Sequence, residues 1–147
     1  MEIQLIECGH ALWQRTIAFA RSCSWKAGTA LAKKMEENAF GAWERVAVAV
    51  EDGELAGFCT FTERDELPEE YGYAPFIGFV FVGEKFRGRR LSEAMIRKIL
   101  DYAKTLGFRK TYIMSGEQGL YEKYGFVKIG EFQTIYGTTD QLFYMDL

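Results

Sequence analysis

Phe76-Ile77-Gly78-Phe79-Val80-Phe81-Val82-Gly83-Glu84-Lys85-Phe86-Arg87-Gly88-Arg89-Arg90-Leu91-Ser92 is the stretch whose reading decides the fold. Phe76 to Val82 is apolar or Gly at every position, as in a strand covered on both faces at the centre of a sheet. A basic loop containing glycine follows, and then a long amphipathic helix begins. In that helix Leu91, Met95, Ile99, Ala103 and Leu106 recur on one face, while Glu93, Arg97, Asp101 and Lys104 run down the opposite side as pairs of opposite charge. Strand, Gly turn and helix start, in that order, make an anion pocket. The first helical N–H groups lack intrahelical acceptors, and the helix dipole places positive charge there. Arg87, Arg89 and Arg90 add formal charge, so the segment points to a ligand bearing phosphate.

Outward from this segment the chain reads as one α/β unit over residues 1–147. Ile3 and Leu5 alternate in a short first strand. Ala11 to Ala20 has helical spacing, and Ser24 is placed to cap a second helix running to about Asn38. Val46, Val48 and Val50 alternate up to Asp52-Gly53, and Leu55, Gly57, Cys59 and Phe61 alternate beyond it. This is the pattern of a hairpin with a type I′ turn, which needs positive φ at both central residues. Glu63 to Glu70 reads as a solvated acidic loop. Gly107 closes the long helix, Thr111 to Met114 is a strand, Gly119 to Tyr124 a short helix, and Phe126–Ile129 and Gln141–Leu147 a terminal strand pair. A mixed sheet follows, with the strands on either side of the long helix parallel.

The bulk numbers narrow the function classes. The chain has 147 residues, 48% hydrophobic and 16% aromatic, enough for a packed core. Its net charge of −3 argues against a nucleic-acid partner. Cys8, Cys23 and Cys59 are odd in number and lack CxxC spacing, which predicts free thiols in a reducing, cytoplasmic setting. One histidine with scattered cysteines gives no metal site of zinc type. No apolar run reaches the length of a membrane span.

Three phosphate loops compete. Gly83 to Gly88 has the G-x-x-x-x-G half of a P-loop, but Arg89-Arg90 stand where Lys and Ser/Thr belong. A dinucleotide fingerprint, G-x-G-x-x-G, is absent. The third loop is that of the GNAT (Gcn5-related N-acetyltransferase) superfamily. Lys85-Phe86-Arg87-Gly88-Arg89-Arg90 resembles that family's Arg/Gln-x-x-Gly-x-Gly/Ala. Val82 to Gly88 resembles its V-x-x-x-Y/F-R-G. Gly119-Leu120-Tyr121-Glu122-Lys123-Tyr124-Gly125-Phe126 resembles its downstream L-Y-E-K-x-G-F. Lys85 and Arg90 depart from the pattern, Arg90 standing where the family has Gly or Ala.

The resemblance implies the GNAT acyl-CoA N-acyltransferase fold, a central mixed, mostly antiparallel sheet flanked by helices. It implies acetyl-CoA as acetyl donor, no metal, and direct transfer to an amine of a small molecule or a protein. Arg87, Gly88, Arg89, Arg90, Leu91 and Ser92 would hold the pyrophosphate, and a free N–H near Phe81 or Val82 would polarise the thioester. Tyr121 would be the general acid, with Tyr124 its neighbour on the same short helix. Relatives place a Glu at the start of the central strand as base. Here Tyr73 to Gly78 has no carboxylate, leaving Glu70, just upstream, as the candidate. That gap also supports a rival reading, a GNAT-fold acyl-CoA sensor with weak or no catalysis. A nucleoside-triphosphate binder is a third reading. Partners reduce to the amine acceptor, with no nucleic acid or membrane, in a monomer or homodimer.

Overall fold

The computed structural model describes residues 1–147. Its elements are β1 (Glu2–Ile6), α1 (Trp13–Ser22), α2 (Gly28–Glu36), β2 (Arg45–Glu51), β3 (Glu54–Thr62), β4 (Phe76–Val82), α3 (Leu91–Thr105), β5 (Lys110–Ser115), α4 (Leu120–Lys123), β6 (Val127–Gln133) and β7 (Thr139–Asp146). They form one seven-stranded sheet in the order β1-β2-β3-β4-β5-β7-β6. Every neighbouring pair is antiparallel except β4 and β5, which are joined through α3 and run parallel.

The alternation of valine and alanine in β2 now has a physical reason. Ala47 and Ala49 face α3, while Val46 and Val48 face α1 and α2. Small side chains under α3 let that helix sit close, and Leu91, Met95, Ile96, Ile99 and Leu100 fill the space between. Each such side chain contributes about 1.5–3 kcal/mol on burial. Leu106, placed by its spacing on the same face, is 42% exposed instead. By that point α3 has ended, and Gly107 takes φ +89 as the left-handed residue after it.

The hairpin turn forms as its residues require, with Asp52 at φ +47 and Gly53 at φ +79. Ser24 does not cap the second helix. α2 begins at Gly28, where an added Cβ would collide with the Ala20 carbonyl oxygen, so the start of α2 is set by its close crossing with α1.

Two irregularities of β4 open the sheet. Phe58 pairs with Phe81 and Thr60 with Gly78, so Phe79 and Val80 together oppose the single residue Cys59. This is a β-bulge, and Phe79 adopts φ +50 within it. On its other side β4 pairs with β5 only at Phe76↔Tyr112 and Ile77↔Ile113. Beyond Ile77 the two strands part, leaving half of β4 with one unpaired edge.

Candidate active site

A cleft of about 1620 Å³ occupies this parting and runs to the start of α3. Its first wall is backbone. The N–H groups from Gly88 to Glu93 find no acceptor within the protein, and no side chain caps α3. Gly88 at φ +84 and Arg90 at φ +60 turn the loop, and Gly88, Arg90, Leu91 and Ser92 line the cleft. The left-handed conformation at Arg90 explains the family's small residue at that position. For a residue with a side chain it costs about 1–2 kcal/mol.

The side chains of the basic loop go separate ways. Arg90 is turned to Glu93, 2.8 Å away, and is 80% exposed. It neither covers the loop floor nor points into the protein. Arg89 reaches back to Glu51 on β2 at 3.4 Å, Lys85 pairs with Glu54 at 2.7 Å, and neither lines the cleft. Arg87 alone has no carboxylate partner. Its Nε donates to the Val82 carbonyl at 3.0 Å, and its guanidinium lies over the Phe81 ring. Of the loop's cations, Arg87 is therefore the one free to meet an anion inside the cleft. Leu91 packs its side chain into the core and offers only its N–H to the cleft.

The bond from Arg87 also fixes which strand residue faces the gap. Gly83 N–H donates to Ala56 on β3. Direction alternates along a strand, so Phe81 likewise addresses β3, while Val82 turns its N–H and C=O away from β3 into the parting. Of the two positions read from the sequence, Val82 carries the N–H that opens onto the cleft.

Tyr121 lies on α4 across this gap, 4% exposed, with Ser115, Gly116 and Glu117 beside it. Burial pushes its hydroxyl well above the usual phenol range. The Cys59 thiol and the Glu117 carboxylate push the same way, and a hydrogen bond with Ser115 opposes them. The group therefore stays protonated and can act as a donor. Tyr124 is committed elsewhere, its Oη sharing a 2.8 Å hydrogen bond with Ser92 Oγ at the start of α3.

The opposite end of the cleft is acidic and aromatic, with Asp65, Glu66, Glu117 and Asp140 among Trp25, Phe79 and Tyr136. Glu70 is not there. It is exposed, on a 3-10 turn (Glu69–Tyr71), and does not line the cleft. The loop after β3 folds Asp65 over Gly78, where an added Cβ would lie 2.8 Å from Asp65 Cγ. A loop carboxylate thus occupies the space above β4 that a strand residue would fill. Asp65 as a residue is partly exposed, but its carboxyl is enclosed. Burial raises it from 3.8 to about 6, against the Glu66 N–H it accepts and the charge of Lys34. Glu66 is raised to about 7, by burial first, then by the charges of Asp65 and Asp140 and a hydrogen bond to Asp140. The acidic loop expected to be solvated is thus partly folded into the site. Trp25 stacks on Phe81 at 5.9 Å and lines the cleft.

A mixed sheet parted beside its bulged central strand, with an anion-binding helix start at one end of the gap, defines an acyltransferase-type architecture. The chain belongs to the acetyltransferase (GNAT) family, whose pattern matches residues 13–126. No curated protein sequence matches it. Among solved structures it is similar to an aminoglycoside 6'-N-acetyltransferase complexed with coenzyme A (14% identity, 99% of this chain and 97% of that chain, TM-score 0.73). It is similar to the aminoglycoside 6'-N-acetyltransferase from Enterococcus faecium (15%, 99% and 97%, TM-score 0.74). It is also similar to a GNAT family acetyltransferase from Elizabethkingia anophelis with acetyl-CoA bound (16%, 99% and 97%, TM-score 0.66). At these identities the likeness is one of fold. No helix is long and apolar enough to cross a membrane.

Proposed function

We propose that the chain, as one acetyltransferase unit, moves an acetyl group from acetyl-CoA to an amine. One observation supports this reading: Gly88, Arg90, Leu91 and Ser92, whose N–H groups have no acceptor within the protein, line a single cleft together with Val82 and Tyr121. The N–H row and Arg87 suit a pyrophosphate, since each charge-assisted hydrogen bond contributes about 1.5–3 kcal/mol. Arg89, Arg90, Leu91 and Ser92 contribute through backbone rather than side chain, and Phe81 through its ring beneath Arg87.

Acetyl-CoA supplies an acetyl thioester, whose C–S bond breaks as the C–N bond to the amine forms. Val82 N–H donates to the thioester oxygen, as oxyanion donors do. Asp65 takes the proton that the ammonium must lose before its nitrogen can attack. Tyr121 gives its proton to the departing thiolate. The protons balance, with Asp65 returning its own to solvent and Tyr121 regaining one. An ammonium has a pKa of about 10, so an ordinary carboxylate is a poor acceptor for its proton. Raising Asp65 by about 2 units improves the transfer by about 3 kcal/mol.

The sensor reading rests on the missing carboxylate of the central strand, and Asp65 over Gly78 supports the enzyme reading beside it. The test is thiol release over an amine panel, with Tyr121→Phe beside the wild type. Binding of acetyl-CoA with no turnover of any amine would overturn the enzyme reading. Greater thermal stabilisation by ATP–Mg²⁺ than by coenzyme A would overturn the cofactor.

A further inference from the structure

The sheet ends on two open edges, β1 and β6. An edge strand presents unpaired N–H and C=O groups, and proteins deter pairing there with shortness, proline, charge or a bulge. β6 runs for seven residues, Val127-Lys128-Ile129-Gly130-Glu131-Phe132-Gln133, without a proline. Val127 is 51% exposed and Ile129 39%, although both are β-branched and apolar. β1 is shorter, and its one charged residue is Glu2. The devices left to β6 are two charges and a bulge, and they are arranged so that one pairing is favoured.

The bulge decides which residues share a face. Lys128 pairs with Phe143, Gly130 with Leu142 and Glu131 with Gln141, so Ile129 is the extra residue. Paired residues point to the same side of a sheet, and Phe143 and Gln141 are two apart on β7. Lys128 and Glu131 therefore stand on one face, although three residues apart, and their charged groups approach to 4.0 Å. Val127 and Phe132, opposite Tyr144 and Asp140, stand together on the other face.

We propose that two copies of this chain join edge to edge through β6, antiparallel about a two-fold axis between Ile129 and Gly130, in one continuous sheet. Such an axis, perpendicular to the sheet, must set residues of the same face opposite each other. In this register Lys128 meets the partner's Glu131 and Glu131 meets the partner's Lys128. Val127 lies beside the partner's Phe132, and Ile129 meets the partner's Gly130, where no side chain obstructs it. Axes through Lys128 or through Glu131 would set like charges against each other. Directly opposite unlike charges are favourable and like charges destabilising, so the charge pattern selects the first register. β5 and β7 separate β6 from the parting beside β4, so both clefts stay open. The interface stands apart from the acetyltransferase reading and does not depend on it.

The experiment is sedimentation equilibrium of the full chain across the micromolar range. The wild type is expected to move from 16.9 kDa towards twice that mass as concentration rises. Lys128→Glu sets Glu against Glu at both symmetric positions, and Glu131→Lys sets Lys against Lys. Each variant alone should dimerise at least about tenfold more weakly. Both side chains are exposed, so neither change burdens the core, and thermal melting shows each variant folded. Mixed in equal amounts, the two variants restore unlike charges at both positions and should form a heterodimer close to wild-type affinity. A charge serving only the fold of its own chain would give no such rescue between chains. A wild type that stays monomeric throughout overturns the inference. Dimers undiminished in both single variants, or a mixture that associates no more tightly than its components, overturn the assignment to this edge and register.

Discussion

Asp65→Asn isolates the proposed base without changing the shape that fits over Gly78. The wild-type carboxyl is raised from 3.8 to about 6, so its basic form is filled in as pH rises through 6. kcat/KM for an amine should therefore climb along a limb near that pH, shared with Glu66 because the two carboxyls interact. Asn cannot accept a proton, and loss of a positioned base costs about 10²–10⁴-fold. The variant should be at least about 100-fold slower at about pH 7 and recover as the amine itself ionises towards about pH 10. Thiol release, followed from about pH 5 to about pH 9.5 at saturating acetyl-CoA, reads both profiles. Stability should move the other way. A carboxyl raised on folding binds protons more tightly in the folded state. Its presence lowers stability as pH rises from about 4 to about 6, and the deficit persists above that range. Asp65→Asn removes up to about 3 kcal/mol of this penalty, so its Tm should rise at pH 8 relative to pH 4, compared with wild type. A variant with wild-type rate and an unchanged limb would refute the assignment. So would a variant that is less stable than wild type at both pH values and inactive for that reason.

Other residues give sharper single readouts. Tyr121→Phe removes a donor that burial keeps protonated, and kcat should fall about 100-fold with coenzyme A affinity unchanged, measured by kinetics beside calorimetry. Gly78→Ala pushes against the Asp65 carboxyl and should cut activity while leaving coenzyme A binding intact. Arg87→Ala should weaken coenzyme A about tenfold and Arg89→Ala much less, since only Arg87 lines the cleft free of a carboxylate. Thr111→Val replaces a buried hydroxyl that has no partner with a methyl group, and denaturant unfolding should find it neutral or stabilising by about 1 kcal/mol.

The anion end of the site was legible because it is written in backbone. A Gly at φ +84 and a helix start leave a periodic trace in the residues from Phe76 to Ser92. The Tyr121 segment was legible as a motif, and the choice between Tyr121 and Tyr124 required the hydroxyl contact with Ser92. Side-chain direction was not readable. Arg89 and Arg90 lie within three residues of Arg87 in one basic loop, yet acidic residues on β2 and α3 draw them outward. The acidic end was missed for a related reason. Asp65 and Glu66 sit on the loop after β3 and Asp140 at the start of β7, far apart in sequence, and nothing local sends Glu70 outward and Asp65 inward. One trace was available: Gly78 interrupts an otherwise bulky central strand, and a strand Gly marks a close approach by another group. That group is the Asp65 carboxyl.

The most direct test of the account is the reaction itself. Purified protein is mixed with acetyl-CoA and a panel of primary amines, free thiol is followed, and the amines are weighed by mass spectrometry. The account predicts stoichiometric thiol release with one acetyl group gained by an amine of the panel, both abolished together in a Tyr121→Phe, Asp65→Asn double variant that still binds coenzyme A. Thiol release unaccompanied by an acetylated amine, or an undiminished rate in that variant, would contradict it.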